Sequence, residues 1–140
     1  MKRIILMGRS GSGKTTLSQA LQGKKIEYEK TQYVKFDDFV IDTPGEYAES
    51  RKLGRALAIY AYEANVVGVL IAADEQYTRF APNLTCVTNR DTIGIVTKIH
   101  NKGARPKLVK TWLELIGCKN IFFVDSPTGE GVGKLLEYLM

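Results

Sequence analysis

The sequence has few of the residues that build disulfide-rich or zinc-binding proteins. It contains 2 cysteines and 1 histidine in 140 residues. Two cysteines, Cys86 and Cys118, are too few for a disulfide framework, so we predict small core residues in a reducing compartment. His100 is the single histidine, so we see no Cys/His zinc cluster, and nothing else in the sequence supports a Ser-His-Asp triad.

Long apolar runs are missing as well. The longest apolar stretch lies between Val66 and Ala73, far below the length that spans a bilayer. Lys2 and Arg3 precede only four apolar residues, which does not match a secretory signal peptide. We therefore expect a cytoplasmic protein with no membrane partner. The net charge is +5, but the basic clusters are short and separated, so we expect no nucleic-acid partner.

Apolar runs and helical periodicity alternate along the chain. Continuous apolar runs predict buried strands at 4–7, 66–72, 92–97 and 121–124, and periodic spacing predicts helices at 15–21, 49–64, 105–117 and 133–140. Two short strands, 33–36 and 39–41, form a predicted hairpin, and Pro82 leaves 76–89 ambiguous. The pattern predicts a single α/β domain: a three-layer, mostly parallel sheet with one antiparallel edge strand.

A glycine-rich phosphate loop follows the first predicted strand. Residues 8–15 read GRSGSGKT and match the pattern G-x-x-x-x-G-K-[ST]. Glycines let successive backbone N–H groups point at phosphate oxygens, and the following helix adds its positive end. The predicted phosphate and nucleotide contacts are Gly8, Arg9, Ser10, Gly11, Ser12, Gly13, Lys14, Thr15 and Thr16. We expect Lys14 to bring a full charge to the outer phosphates and the Thr15 hydroxyl to bind Mg²⁺.

A second motif, Asp42-Thr43-Pro44-Gly45, follows the predicted strand at 39–41. We predict that Asp42 holds Mg²⁺ and that the Gly45 N–H meets a γ-phosphate. In the loop between the two motifs, Thr31 is a candidate to close over Mg²⁺ and the γ-phosphate. Glu46 stands where a water-positioning side chain is expected, and a carboxylate there predicts slow hydrolysis. The alternative for Glu46 is a solvated residue without a catalytic role.

The expected base site is incomplete. Guanine-specific proteins carry N/T-K-x-D where this chain has Thr97-Lys98-Ile99-His100, so a histidine replaces the base-reading aspartate. The Lys98 stem can still cover the base, and Ser126 and Pro127 are expected on its other side. Losing hydrogen bonds to a charged group, worth about 1.5–3 kcal/mol each, predicts weak discrimination between bases. His100 either makes one hydrogen bond to the base or has no ligand role.

These motifs together resemble the EutP/PduV family of small Ras-like P-loop proteins. The resemblance runs nearly end to end, through the phosphate loop, Lys30-Thr31-Gln32, residues 42–47 and Thr128-Gly129-Glu130-Gly131. It implies a bacterial GTPase-like domain of ethanolamine and propanediol utilisation, associated with microcompartments and their shell proteins. It also implies GTP binding, and a phosphotransferase role of the acetate kinase type is attributed to the family. Because His100 departs from the pattern, GTP/GDP and ATP/ADP both remain candidate ligands.

Three functions are compatible with the sequence. The first is a nucleotide-dependent switch or assembly factor with weak NTPase activity, supported by the candidate γ-phosphate contacts Thr31 and Gly45. The second is an ATP-using small-molecule kinase, for which the sequence identifies no acceptor pocket. The third is a binding module that has lost NTPase activity, suggested by Glu46 and His100. No internal arginine is an obvious catalytic finger, so an activating protein is an expected partner.

Overall fold

The computed structural model describes residues 2–9, 11–29, 40–42, 64–78, 80 and 90–140, with side chains described in these ranges except at 24–29 and 40–42. The predicted strand at 33–36 lies outside the described residues, and so do nearly all of the helix at 49–64 and most of the ambiguous segment 76–89. The antiparallel edge strand therefore stays a prediction. The described residues contain five strands and three helices.

The strands form one parallel sheet. They are β1 (Ile4–Met7), β2 (Val40–Asp42), β3 (Val66–Ala72), β4 (Asp91–Thr97) and β5 (Asn120–Phe123), in the spatial order β2-β1-β3-β4-β5. Every residue of β1 and β3 is buried. Such continuous apolar strands are typical of a sheet covered on both faces. The mostly parallel sheet that the sequence predicts is confirmed within the described residues.

Helices cover both faces of this sheet. They are α1 (Lys14–Glu29), α2 (Pro106–Ile116) and α3 (Val132–Leu139). On one face, residues of α1 and α3 pack in the same core as Ile4 and Leu6. On the other face, α2 packs with Ile5 and Met7. Alternate residues of β1 thus supply two separate apolar layers, as the two-residue period of a strand requires.

Most predicted boundaries differ by one residue from those of the structure, but two differences matter. The helix predicted at 15–21 continues to Glu29. The strand predicted at 39–41 is Val40–Asp42, so Asp42 is the last residue of the strand rather than the first after it. The strand predicted at 66–72 has those bounds. In the described part of the chain, no helix combines the length and apolar character needed to cross a membrane.

Candidate functional site

The phosphate-loop sequence connects β1 to α1 at the carboxyl end of the sheet. Gly8 is buried against β3: a Cβ there would lie 2.5 Å from the Ser12 hydroxyl oxygen and 3.0 Å from the Leu70 carbonyl oxygen. Gly13 has φ +96°, a left-handed conformation that favours glycine. The two glycines therefore let the loop curl tightly over the end of the sheet. Ser10 lies outside the described residues.

The end of β4 holds the loop from the side. The Thr97 hydroxyl donates a 2.5 Å hydrogen bond to the Ser12 carbonyl, and the Lys98 ammonium donates one of 2.5 Å to the Gly11 carbonyl. A third bond, from the Ser12 N–H to the Arg9 carbonyl at 3.0 Å, closes a turn within the loop. Two carbonyls of the loop are therefore bound by side chains at the end of β4 and just after it. The structure thus brings Thr97 and Lys98 into contact with the loop, as expected if both belong to one nucleotide site.

Two polar side chains are buried in or beside the loop. The Ser12 hydroxyl is buried and has no hydrogen-bond partner among the described residues. An unpaired buried hydroxyl is uncommon because it costs free energy, and a ligand oxygen placed beside it would satisfy it. Lys14, the first residue of α1, is also buried, whereas Thr15 and Thr16 are exposed in its first turn. A buried cation at a helix N-terminus is well placed to meet an anion.

The candidate metal ligands are only partly described. Asp42 ends β2, where its backbone pairs with Leu6 one strand away, so it lies at the same edge of the sheet as the loop. Thr31, Gly45 and Glu46 lie outside the described residues. The described ranges hold no group of three or more His, Cys, Asp or Glu side chains that could bind a metal. A hydroxyl and one carboxylate nonetheless fit Mg²⁺, which keeps several waters and takes few protein ligands.

The turn after β5 carries Ser126 and Pro127. The Thr128 hydroxyl donates to the Asp125 carboxylate at 2.6 Å, and the Asp125 N–H donates to the Glu130 carbonyl at 2.9 Å. The backbone of this turn is therefore fixed from Asp125 to Glu130. Ser126 is half-buried and Pro127 is exposed, so both are accessible beside the turn.

His100 contacts this turn. Its Nε2 atom pairs with a carboxylate oxygen of Glu130. The hydrogen bond to Glu130, together with its negative charge, raises the pKa of His100 above 6.5. The histidine at the aspartate position of the pattern is thus paired with a carboxylate from another loop.

A polar cavity lies beside the loop. Its volume is about 410 Å³, and Arg9, Gly11, Glu75, Tyr77 and Lys98 are among its lining residues. Arg9 pairs with the buried Glu75 carboxylate at 3.3 Å, and that carboxylate accepts a 2.6 Å hydrogen bond from the Ala72 N–H. Burial raises the pKa of Glu75, against the opposing effects of this hydrogen bond and of Arg9.

Sequence reasoning missed Glu75 and the pairing role of Glu130. Glu75 is a charged residue three positions after a continuous apolar strand, at the edge where ligands bind, and that placement is a usable signal. Arg105 supports the same loop, because its guanidinium donates to the Glu75 carbonyl at 3.0 Å. The contact between His100 and Glu130 joins residues 30 positions apart, and no local pattern predicts it.

Several known proteins are similar to this chain over almost all of its length. "Propanediol utilization protein PduV" of Citrobacter freundii is 39% identical and covers 99% of this chain and 93% of its own. "Probable acetate kinase EutP" of Salmonella typhimurium is 33% identical, with 99% and 89% covered. "GTPase Era" of Mycobacterium tuberculosis is 30% identical over 97% of this chain but 54% of its own.

A solved structure shares the fold. The G-domain of FeoB from Methanococcus jannaschii superposes with a TM-score of 0.65 at 17% identity, covering 98% of this chain and 94% of that one. At that identity the similarity supports the fold alone. The family model described as "Ethanolamine utilisation - propanediol utilisation" matches residues 1–140. The resemblance that the sequence motifs suggested is therefore confirmed: the chain belongs to the PduV-EutP family.

Proposed function

We propose that the phosphate loop binds the phosphates of a nucleoside triphosphate with Mg²⁺. We further propose that the protein is a nucleotide-dependent switch or assembly factor with weak NTPase activity. The observation that carries this proposal is the clamp of Thr97 and Lys98 on the carbonyls of Ser12 and Gly11. The clamp occupies carbonyl oxygens that would repel a phosphate. The similarity to GTPase Era supports the same ligand class.

Each residue of the proposed site has a separate task. The loop N–H groups and Lys14 would bind the β- and γ-phosphates, and the Thr15 hydroxyl and Asp42 would hold Mg²⁺. When bound, Mg²⁺ neutralises charge on the phosphate oxygens. Thr31 and the Gly45 N–H are proposed γ-phosphate contacts, and Glu46 is proposed to orient water poorly. Lys98, Ser126 and Pro127 would flank the base.

Equilibrium binding of GTP, GDP, ATP and ADP with Mg²⁺ tests the proposal. Lys14→Ala removes one charge-assisted contact, worth about 1.5–3 kcal/mol, and is expected to weaken triphosphate binding about 10- to 150-fold. Lys134→Ala changes an exposed lysine on α3 and serves as the matched control. Equal affinities for the Lys14 variant, its control and the unaltered chain would rule the site out.

Single-turnover hydrolysis tests the switch role. We expect slow phosphate release, and we expect Glu46→Gln to speed it because an amide both donates to and accepts from water. A rate unchanged by that substitution would remove Glu46 from the mechanism. The family and the similar PduV and EutP proteins support a place in ethanolamine or propanediol utilisation, with microcompartment shell proteins as candidate partners.

A phosphotransferase of the acetate kinase type is the second candidate, and the cavity beside the loop favours it. There, an acetate oxygen would attack the γ-phosphorus, the bond to the β–γ bridging oxygen would break, and ADP would leave. Arg9 is a suitable carboxylate partner, but Glu75 already binds it. Acetate would therefore compete with Glu75 for the guanidinium.

Labelled ATP mixed with acetate separates the two candidates. Acetyl phosphate formation that is lost in Arg9→Gln supports the kinase. Release of inorganic phosphate at a rate independent of acetate supports the switch. Neither product, despite nucleotide binding, indicates a binding module without catalytic activity.

A further inference from the structure

His100 and Glu130 form a side-chain pair that joins two loops next to the expected base site. His100 follows the end of β4 by three residues, and Glu130 lies in the turn between β5 and α3. Both side chains are largely exposed, at 62% and 55%. An ion pair between exposed groups adds little to stability, so this pair is not explained by a structural need. Its effect is to bring a carboxylate to the histidine that replaces the base-reading aspartate.

The position of Glu130 is well defined by its backbone. Its carbonyl is bound by the Asp125 N–H, and its own N–H donates to the Thr128 hydroxyl at 3.4 Å. The next residue, Gly131, has φ +78°, and a Cβ there would lie 2.0 Å from the Phe123 carbonyl oxygen. The backbone on either side is thus fixed, and His100 sets where the Glu130 carboxylate lies.

The turn that carries His100 is also held in position, through Lys98. Lys98 adopts φ 56° and binds Gly11, so the turn that carries His100 starts at the phosphate loop. The stem of Lys98 and the Ser126 turn are the two expected walls around a base. Glu130 lies in the same turn as Ser126, and its contact with His100 connects that turn to the one that begins at Lys98.

We propose that Glu130 is the base-reading carboxylate of this protein and that it selects a guanine nucleotide. His100 is the residue that positions this carboxylate. This assignment rests on the proposed function of the phosphate loop. A carboxylate only accepts hydrogen bonds. Guanine presents two adjacent N–H donors, N1–H and the 2-amino group, on its Watson–Crick edge. Adenine presents an unprotonated N1 atom there, which a carboxylate repels. The carboxylate that is absent at position 100 is supplied from the next loop.

Nucleotide competition against a fluorescent guanine nucleotide, with Mg²⁺ and the full chain, tests the assignment. We expect the unaltered chain to prefer GTP over ATP by about tenfold or more, the effect of one hydrogen bond to a charged group. Glu130→Gln is expected to weaken GTP binding and to tighten xanthosine triphosphate binding. Xanthine carries a carbonyl oxygen where guanine has its amino group, and an amide N–H can donate to that oxygen. A purely structural role of Glu130 predicts no gain for the xanthine nucleotide.

A double variant tests whether an acid at position 100 can replace Glu130. Adding His100→Asp to Glu130→Gln restores an acid at position 100 and is expected to recover the GTP preference. Glu137→Gln, an exposed glutamate on α3, is the control and should leave all affinities unchanged. Circular dichroism melts of each variant check that the fold is intact.

Three results overturn the assignment while leaving the phosphate-loop proposal in place. The first is equal binding of GTP and ATP to the unaltered chain. The second is a GTP preference that survives Glu130→Gln, and the third is a parallel loss of GTP and xanthosine triphosphate binding in that variant. Failure of every nucleotide to bind the unaltered chain overturns the proposed function and, with it, this assignment.

Discussion

The Thr97 hydroxyl donates a 2.5 Å hydrogen bond to the carbonyl of Ser12, 85 positions earlier in the chain. Thr97→Val keeps the shape of the side chain but leaves that buried carbonyl without its partner, at a cost of about 1–3 kcal/mol. We expect a lower melting temperature and weaker triphosphate binding. Thermal melts and equilibrium titration measure the two effects.

Two controls belong to this test. Thr97→Ser retains the hydroxyl and should recover most of the nucleotide affinity. Thr92→Val lies on the same strand, but its hydroxyl contacts the Arg90 carbonyl and not the loop, so it should leave affinity unchanged. Similar losses for Thr92→Val and Thr97→Val would contradict a specific role for the contact with Ser12.

Glu75 predicts a pH dependence of stability. Its folded pKa is raised above the ordinary value of 4.5, mainly by burial, so the folded state binds more protons than the unfolded state between these two values. Its contribution to stability therefore falls as pH rises from about 4.5 through the folded pKa. Glu75→Gln removes this dependence. The free energy of unfolding of the variant, relative to that of the unaltered chain, should therefore increase as pH rises from about 4.5 through the folded pKa of Glu75. Urea unfolding at several pH values measures the difference, and a constant difference would refute the expected shift.

His100 should titrate above 6.5, because it bonds to Glu130. A raised folded pKa means that the stabilising effect of the pair is complete below about 6.5 and is lost as pH rises through the folded value. Proton–carbon NMR follows the single imidazole directly, without interference from other histidines. Glu130→Gln should return its pKa towards 6.5, and Glu137→Gln should not. An identical titration in both variants would show that Glu130 does not bind His100 in solution.

Cys118 should be inert to thiol reagents in the folded protein. Burial raises its pKa to about 12, so at neutral pH its thiolate is about a thousandfold rarer than that of a thiol with a pKa of 9.0. Brief alkylation followed by peptide mapping should find Cys118 unmodified in buffer and modified in denaturant. Mapping distinguishes it from Cys86 without any substitution. Rapid native labelling of Cys118 would indicate that α2 and its following turn open readily.

The elements that sequence reasoning predicted best are those in which burial dictates composition. Strand β3 is apolar throughout because both faces are covered, and its predicted bounds are correct. The apolar face of Leu17, Ala20 and Leu21 predicts a helix that ends at Leu21, whereas α1 ends at Glu29. A helix continues through its i to i−4 backbone hydrogen bonds, so the last residue of an apolar pattern does not mark its end.

Some residues of the candidate site could be predicted from the sequence and others could not. The phosphate loop is a contiguous motif, so its candidate residues could be predicted from spacing alone. The partners of the loop are not contiguous. Glu75 and Glu130 acquire their contacts with Arg9 and His100 through tertiary packing, and only the structure reveals which charges meet.

The parallel sheet has a consequence for how the protein is made. Each parallel strand pair requires a crossover, so the described sheet contains no local hairpin from which folding can start. Parallel topologies of this kind fold slowly, because distant segments must meet before strands can pair. On the ribosome the phosphate motif emerges before its clamp, because Thr97 and Lys98 lie 85 and 87 positions after Ser12 and Gly11. At typical synthesis rates a nascent chain would therefore carry the motif for several seconds before the clamp is available.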